Sequence, residues 1–435
     1  MQNSSTVESL GERARKITFI GLNYWPEPTG IAPYTTDMAR ELARAGHSVK
    51  VITGYPHYPS WHIQNGYKGS SITESIDGVE VRRVRQLMLR KPSALGRVIL
   101  EGSFGLRAVL ARWSRPDVVV CVTPSLIATA LVMIRAKLAR RRPRILVWVQ
   151  DLYGPGVAET GAMGSRGAQL VSEVEGAVLK RADAIAVIHD RFRAYIHRQL
   201  GGPYLDVSVI RNWTHLTAEG QSSRDDARRL LGWSLQRTIV MHAGNMGVKQ
   251  NLQNIVEVAK ILDAQGDARI ELFLVGDGNQ REEIEKAARG VSSIRFIPPL
   301  SDELFRAALV AADVLVVNEH PDLLEMSVPS KLTTYFFAGR PIIAAANKDG
   351  ATAGEVIRSG AGVVVDPNSP MEFLESLYAI VGDANLMNSM GQAGRAYAAE
   401  NLSRISAVHA FEQWILGTDG PECSQNISPA IGEPA

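Results

Sequence analysis

Two loops in the second half of the chain carry residues suited to holding an anion. HAGNMGVKQN follows the strand-like run TIVMHA and delivers Gly244, Asn245 and Gly247, then Lys249 near a helix start. Glycines expose backbone N–H groups, a helix N-terminus supplies positive potential and the lysine adds a point charge, a set suited to a diphosphate. The same residues also read as a surface lysine beside a tight turn. No G-x-x-x-x-G-K-[ST] run occurs, so this is not a Walker A loop. VPSKLTTYFFAGRPII places Ser330 and Lys331 at a second helix start, followed by Thr333 and Thr334, with no acid. A helix start beside a lysine is again a place for an anion.

Four further loops hold polar groups at strand ends. PEPTGIAPYT offers Thr29-Gly30, where the backbone can approach a ligand, with an ordinary strand–helix turn as the lesser reading. In LVGDGNQ, Gly276 and Gly278 flank Asp277, and the loop could face a nucleotide while Asp277 serves equally well as a cap of the next helix. ILVWVQDLYGPG sets Asp151 just past a strand, to orient or deprotonate an acceptor hydroxyl or to cap loop backbone groups. YPHYPSWH supplies His57 and His62 among Tyr55, Tyr58 and Trp61, whose rings read first as loop packing and second as a stacking surface for a sugar. Two histidines without a carboxylate or cysteine at ligand spacing make no metal site, and no D-x-D pair is present to clamp a cation. We expect no metal and no cofactor.

The elements that must position these loops alternate strand and helix twice over. KITFIGLNYW, SVKVITGY, PDVVVCVTPS, RILVWVQDL and ADAIAVIHD are strand-like runs separated by helical stretches, and RTIVMHAGN, ARIELFLVGDG, SIRFIPPL, DVLVVN, PIIAAA and GAGVVVDP repeat the rhythm. That alternation is the signature of parallel, doubly wound α/β sheets, whose ligands sit at the strand C-termini. Two such sheets joined by a linker put a ligand in the cleft between lobes. The expected divisions are a disordered start over 1–16, a first lobe over 17–205, a linker region over 206–235, a second lobe over 236–400, a crossing helix over 401–417 and a disordered tail over 418–435.

Composition excludes little but locates a partner. The chain is 45% hydrophobic and 21% charged, ordinary for a globular protein, and its two cysteines, Cys121 and Cys423, suggest no disulfide framework. MQNSSTVESLGERARK is polar and does not resemble a signal peptide. The longest apolar run, Val118 to Ile134, is broken by Thr123-Pro124-Ser125 and falls short of the roughly 20 residues a spanning helix needs. Residues 82–144 hold fifteen Lys or Arg against Glu101 and Asp117, so that the rest of the chain is acidic. Neither lobe has the dinucleotide glycine spacing of a dehydrogenase.

AGNMGVKQNLQNIVEVA, LVGDGNQ, VPSKLTTYFFAGRPIIAA and NYWPEPTGIAPYTTDMARELARAGHSVKVITGYPHYPSW together resemble family 4 glycosyltransferases, in particular a subgroup building colanic acid and O-antigen, including fucosyl- and N-acetylfucosaminyl-transferases. The likeness runs from about Ile17 to Leu416. It implies a GT-B fold, with two Rossmann-like lobes facing across a cleft, a nucleotide-diphosphate sugar (GDP-, UDP- or dTDP-linked) in the second lobe, no required metal, and transfer with retention. By that resemblance Gly244 to Gly247, Lys249, Ser330 and Lys331 meet the diphosphate, Gly30 closes over it, His57 and Trp61 belong to the acceptor loop, and the last helix braces the first lobe.

One departure stands out. Many family members carry E-x₇-E, whose second Glu holds the ribose; here Thr334 takes that place and Met326 the first, with Glu325 one residue off. Acceptors in the subgroup are lipid-diphosphate-linked glycans at the cytoplasmic membrane face. Residues 82–144, with SALGRVILEGSFGLRAVLARW interleaving apolar and basic residues, then suit an anionic membrane surface, though they read also as solvated helix faces. No nucleic-acid-binding module accompanies the charge. A sugar-nucleotide epimerase of the same form, or a silent nucleotide-sugar-binding subunit, are the alternatives.

Overall fold

Apolar strands fed by short polar turns assemble two sheets. The computed structural model describes residues 14–27, 30–58, 61–89, 94–154, 165–200, 206–214, 223–323 and 330–417; Thr29, Glu325, Met326 and the tail 418–435 lie outside them. The first sheet contains β1 (Lys16–Ile20), β2 (Ser48–Gly54), β3 (Ser71–Ile76), β4 (Val79–Val84), β5 (Val118–Val122), β6 (Arg144–Val149), β7 (Ala184–Val187) and β8 (Val207–Val209), in the order β3-β4-β2-β1-β5-β6-β7-β8. The second contains β9 (Thr238–Ala243), β10 (Ile270–Val275), β11 (Ile294–Ile297), β12 (Val314–Asn318), β13 (Ile342–Ala345) and β14 (Gly362–Val365), in the order β11-β10-β9-β12-β13-β14.

The run VVVCV shows why the sheets are buried on both faces. Val118, Val120 and Val122 pack on one side with the helices Ala32–Arg44 and Arg404–Leu416, while Val119 and Cys121 pack on the other with the helices Ala94–Leu110 and Leu126–Leu138. Each such valine contributes about 1.5–3 kcal/mol by leaving water. Gly105 lets two of these helices touch, since a Cβ there would stand 2.7 Å from Ala128 Cα.

Three features depart from the expected pattern. The edge of the first sheet is an antiparallel hairpin, β3–β4, turned at Asp77 and Gly78 with φ of 51° and 82°. The helix read near Glu173 to Arg181 is Ser165–Leu179. Much of 206–235 is not linker: β8 pairs with β7, and the helix Arg224–Leu231 docks on the second lobe. Buried Arg228 holds it there, donating to Asp313 Oδ2 at 2.5 Å and to the carbonyls of Ala311, Ser234 and Arg237.

The helix Arg404–Leu416 follows the second lobe in sequence yet packs on the first. Phe411 meets Trp148 at 4.8 Å between ring centroids, His47 Nε2 lies 3.1 Å from Glu412 Oε1, and Arg144 donates to the Ile415 carbonyl at 2.8 Å. In each sheet the strand order reverses once, beside β1 and β5 in the first and beside β9 and β12 in the second. Those reversals open the crevices where a ligand fits.

Candidate active site

The loop leaving β9 is tied to its neighbours by backbone and side-chain hydrogen bonds. Gly244, at φ 126°, donates to the Val275 carbonyl at 2.8 Å. Buried Met246 donates to the Asp277 carbonyl and accepts from Gln280 N, both at 2.9 Å. Gln250 Oε1 then gathers Asn245 Nδ2 at 3.2 Å and Gly247 N at 3.1 Å. Asn318, at the end of β12, donates to the carbonyls of Gln250 and Asn251 at 3.0 Å each and accepts from Asn254. Lys249 holds the His320 N–H on its carbonyl, which leaves its side chain in solvent.

The glycines of the neighbouring loop serve this one. A Cβ on Gly276 would fall 2.0 Å from Gly244 O, and one on Gly278 would fall 2.4 Å from Met246 O. Both therefore lie behind the anion loop as its support, a packing duty that the expected nucleotide contact did not include. Asp277 caps no helix: its Oδ1 accepts from Gly278 N at 2.8 Å, while the helix Arg281–Ala287 starts from Gln280 without a side-chain cap.

The helix Ser330–Ala338 brings a cation to the same loop. Leu332, Tyr335 and Phe336 are buried, and the Tyr335 hydroxyl accepts from Ala243 N at 2.9 Å, fixing the helix to the last residue of β9. Lys331 then lies over Gly244, where a Cβ would stand 3.4 Å from its Nζ. Thr334 is half-buried one turn on, on the same face as Lys331. The Lys331 ammonium is 3.1 Å from Nε2 of His242, a residue sequence reasoning missed. His242 is buried, and its Nδ1 lies 3.2 Å from the Val316 carbonyl, so Nδ1 carries the proton and Nε2 presents its lone pair. Burial and the Lys331 charge hold this imidazole well below its usual range. Burial likewise lowers Lys331 to about 7, against the opposing charge of Glu319, whose Oε1 accepts from Thr352 Oγ1 at 2.8 Å.

In the first lobe a buried carboxylate organises the loops after β1 and β2. Glu27 Oε1 accepts from His57 N and Tyr58 N at 2.8 Å each, and Oε2 accepts from Asn23 Nδ2 at 2.8 Å. His57 is itself buried, with Nδ1 3.0 Å from the Tyr55 carbonyl and 3.1 Å from Gln86 Nε2. It belongs to the scaffold of the loop instead of its face. Trp61, at φ 54°, packs edge-on to Tyr58 and His57, and Gly30, at φ 69°, abuts the Tyr58 ring.

Asp151 leaves β6 half-buried, its Oδ1 accepting from Leu152 N and its carbonyl from Thr123 Oγ1, both at 2.9 Å. Behind it Glu175 accepts from Tyr153 N at 2.7 Å and Gly154 N at 3.1 Å, and Glu101 pairs with the Tyr153 hydroxyl. Burial raises Glu175 to about 7, the backbone donors oppose, and the Asp151 charge adds a smaller push. The lobes meet beside these loops: Arg211 lies 3.7 Å from Glu355, and Arg191 donates to the Asp349 carbonyl. No group of three or more potential ligand side chains among the described residues could hold a metal ion.

A cation, the start of the helix Ser330–Ala338 and a glycine loop at one sheet reversal can hold a diphosphate and stabilise it as it departs. Comparison with known proteins agrees with this geometry. Residues 29–213 match a glycosyl transferase 4-like domain, and residues 237–383 match the glycosyl transferases group 1. The chain is 28% identical to the putative colanic acid biosynthesis glycosyl transferase WcaI of Escherichia coli, over 92% of this chain and all of that one. It is 24% identical to the probable glycosyltransferase WbjE of Pseudomonas aeruginosa, over 69% of this chain and 74% of that one. Among solved structures, sucrose-phosphate synthase from Thermosynechococcus elongatus superposes with a TM-score of 0.69 at 18% identity, covering 92% of this chain and 98% of that one. Anabaena HepE in complex with UDP superposes at 0.65 with 15% identity, covering 92% and 100%. The chain is a glycosyltransferase of the two-lobed GT-B fold, with a glycosyl transferase 4-like first lobe and a group 1 second lobe.

Proposed function

We propose that this enzyme moves a sugar from a nucleotide-diphosphate sugar to a lipid-diphosphate-linked glycan, in the assembly of a cell-surface polysaccharide, with retention at the anomeric carbon. The observation that carries the reading is Lys331 over Gly244 at the reversal of the second sheet. The bond from the anomeric carbon to the diphosphate breaks, the acceptor oxygen forms the new bond, and Asp151 orients the acceptor hydroxyl or takes its proton. Lys331, Lys249 and the loop amides meet the charge left on the diphosphate, a duty a divalent cation has in other transferases. Solved relatives in fold support such a donor: HepE carries UDP-glucose in one structure, and trehalose-6-phosphate enzyme from Escherichia coli carries UDP-2-fluoro glucose. The resemblance to WcaI, named for colanic acid biosynthesis, supports the polysaccharide.

The same reading puts the enzyme at the cytoplasmic face of an anionic membrane. No helix among the described residues is long and apolar enough to cross a bilayer. The helix Ala94–Leu110, however, buries Leu100, Phe104 and Ala108 while exposing Leu95, Val98, Leu106 and Leu110 as an outer stripe, with Arg97 over the Tyr153 ring and Arg107 on the Ser70 carbonyl. Cations near anionic headgroups contribute about 1 kcal/mol each. Flotation with phosphatidylglycerol vesicles, and none with phosphatidylcholine vesicles, is the expected result; equal behaviour with both removes the membrane from the proposal.

The deciding experiment incubates purified protein with lipid extract and GDP-, UDP- and dTDP-sugars, with and without a chelator. One donor is consumed, glycan is extended, chelation changes nothing, and Lys331→Ala abolishes turnover. A changed sugar released without acceptor would make the enzyme an epimerase instead.

A further inference from the structure

We propose that His242 is a positioning residue: its neutral imidazole aims the Lys331 ammonium at the donor diphosphate. The inference rests on the reading of Lys331 given above and adds a residue that the reaction itself does not touch. Three observations on separate elements carry it. His242 is the last but one residue of β9, after the apolar run IVM, and is 1% exposed, a costly place for a ring with two polar nitrogens unless both are used. Both are used. Nδ1 lies 3.2 Å from the Val316 carbonyl of β12, and the Asn245 backbone also bonds the ring; the tautomer that donates from Nδ1 to Val316 leaves Nε2 as an acceptor. Nε2 then takes one N–H of Lys331 at 3.1 Å. An ammonium has three donors and a flexible stem, so one bond to a rigid ring selects its rotamer and leaves two N–H groups for a ligand. The ring therefore connects β12, β9 and the helix Ser330–Ala338 around the Lys331 ammonium, which overlies Gly244.

The chemistry of the pair sets its pH behaviour. His242 from β9 and Glu319 from the end of β12 are the titratable groups that face Lys331. Burial of the cation, opposed by Glu319, brings Lys331 to about 7, so near neutrality the empty site exchanges a proton. A diphosphate needs the ammonium form, and binding takes that proton up. The Lys331 contribution to affinity is therefore level below pH 7 and falls about tenfold per unit above it, until the usual lysine range is reached, on top of the ionisation of the diphosphate itself. Without the Nε2 lone pair the ammonium loses an acceptor, and the break moves to lower pH.

Inorganic pyrophosphate, which has no base or ribose, isolates the effect. Its affinity is measured by calorimetry from pH 5.5 to 9 for wild type, Lys331→Ala, His242→Phe and His242→Gln, alongside melting temperature. His242→Phe keeps an apolar ring of similar size and removes the acceptor, whereas the Gln carbonyl oxygen can accept from Lys331. We expect Lys331→Ala to bind weakly at every pH, keeping only the break that pyrophosphate's own ionisation gives all four proteins, and the Lys331 break is read as the difference from it. His242→Phe should lose about tenfold at pH 7, its break lowered by about one unit, and His242→Gln should recover most of both. If Lys331→Ala binds pyrophosphate as wild type does, the reading of the diphosphate site fails. If Lys331→Ala is weak but His242→Phe matches wild type in affinity and break, the site stands and the positioning role falls. Equal impairment of the Gln and Phe variants with unchanged break would also overturn it, since burial alone would then explain the residue.

Discussion

Gly276→Ala tests whether the loop behind the anion site is held as tightly as the geometry indicates. Gly276 sits at φ 134°, and an added Cβ would lie 2.0 Å from Gly244 O and 2.9 Å from Gly244 C. The obstacle is backbone, so it cannot swing aside as a side-chain end would. A residue forced into that region of backbone space costs about 1–3 kcal/mol, and overpacking adds about 1–3 kcal/mol. Gly266→Ala is the matched control. That glycine, at φ 67°, ends the helix Gln253–Gln265 with nothing within 4 Å of its would-be Cβ. Only the left-handed backbone opposes the substitution there, at about 1–2 kcal/mol. A lobe of this size shifts its melting point by about 2–4 °C per kcal/mol. Scanning calorimetry should then show a loss of roughly 4–24 °C for Gly276→Ala against about 2–8 °C for Gly266→Ala. Pyrophosphate binding should weaken in the first variant alone, because relief of the clash must displace Gly244. If Gly276→Ala melts within a degree or two of the control and binds pyrophosphate normally, the two loops do not touch as described.

Restoring an acid at Thr334 tests where the ribose lies. A charge-assisted bond exceeds a neutral one by about 1–1.5 kcal/mol, so at pH 6 Thr334→Glu should bind the preferred nucleoside diphosphate about 5- to 10-fold more tightly while pyrophosphate is unaffected; an unchanged ratio refutes the placement. Glu175 tests the loop that presents Asp151. Its folded value, about 7, stands above the ordinary 4.5, so between those values the native protein keeps a proton that the unfolded chain releases. Stability from this group is present in full below about 4.5 and declines as pH rises to about 7. Glu175→Gln, followed by urea unfolding at pH 5 and pH 7.5, should lose that part of the decline; an unaltered difference between the two pH values would contradict it.

Parts of the fold were legible because they rest on local pattern. VVVCV, RILVWV and TIVMHA are short apolar runs bounded by polar turns, and each is a strand buried on both faces. The glycine loop after β9 and the helix start at Lys331 could be read for the same reason. What escaped depends on distant partners. SITESI-DG-VEVRRV carries hairpin alternation and an Asp-Gly turn, a signal that was available and passed unread. The polar run SSRDDARR resembled a linker because its composition hides Arg228, whose burial becomes evident only beside Asp313, 85 residues away. Glu27 looked like one acid in a proline-rich loop, yet its partners are backbone N–H groups 30 and 31 residues on. His242 left a weak local mark, a single polar ring at the end of an apolar strand, and its tautomer depends on β12.

These unread residues share a physical role. Glu27 and Glu175 in the first lobe, and Gln250, Asn318 and His242 in the second, are polar groups that fix loop backbone or a cation from beneath. A loop held by its own protein need not be ordered by substrate, so binding energy is kept for the reacting groups. Each half of the site is prepared separately in this way, within its own lobe. The connections between lobes are of another kind: Arg211 shared between Asp190 and Glu355, Arg191 on the Asp349 carbonyl, and the crossing helix Arg404–Leu416. Packed loops resist deformation, whereas a few ion pairs and one helix permit rotation about an interface. Under the proposed function, loops fixed within their own lobes hold the groups that meet charge, and the few contacts between lobes leave adjustment of the lobes, more than ordering of the loops, as the step for substrates to drive.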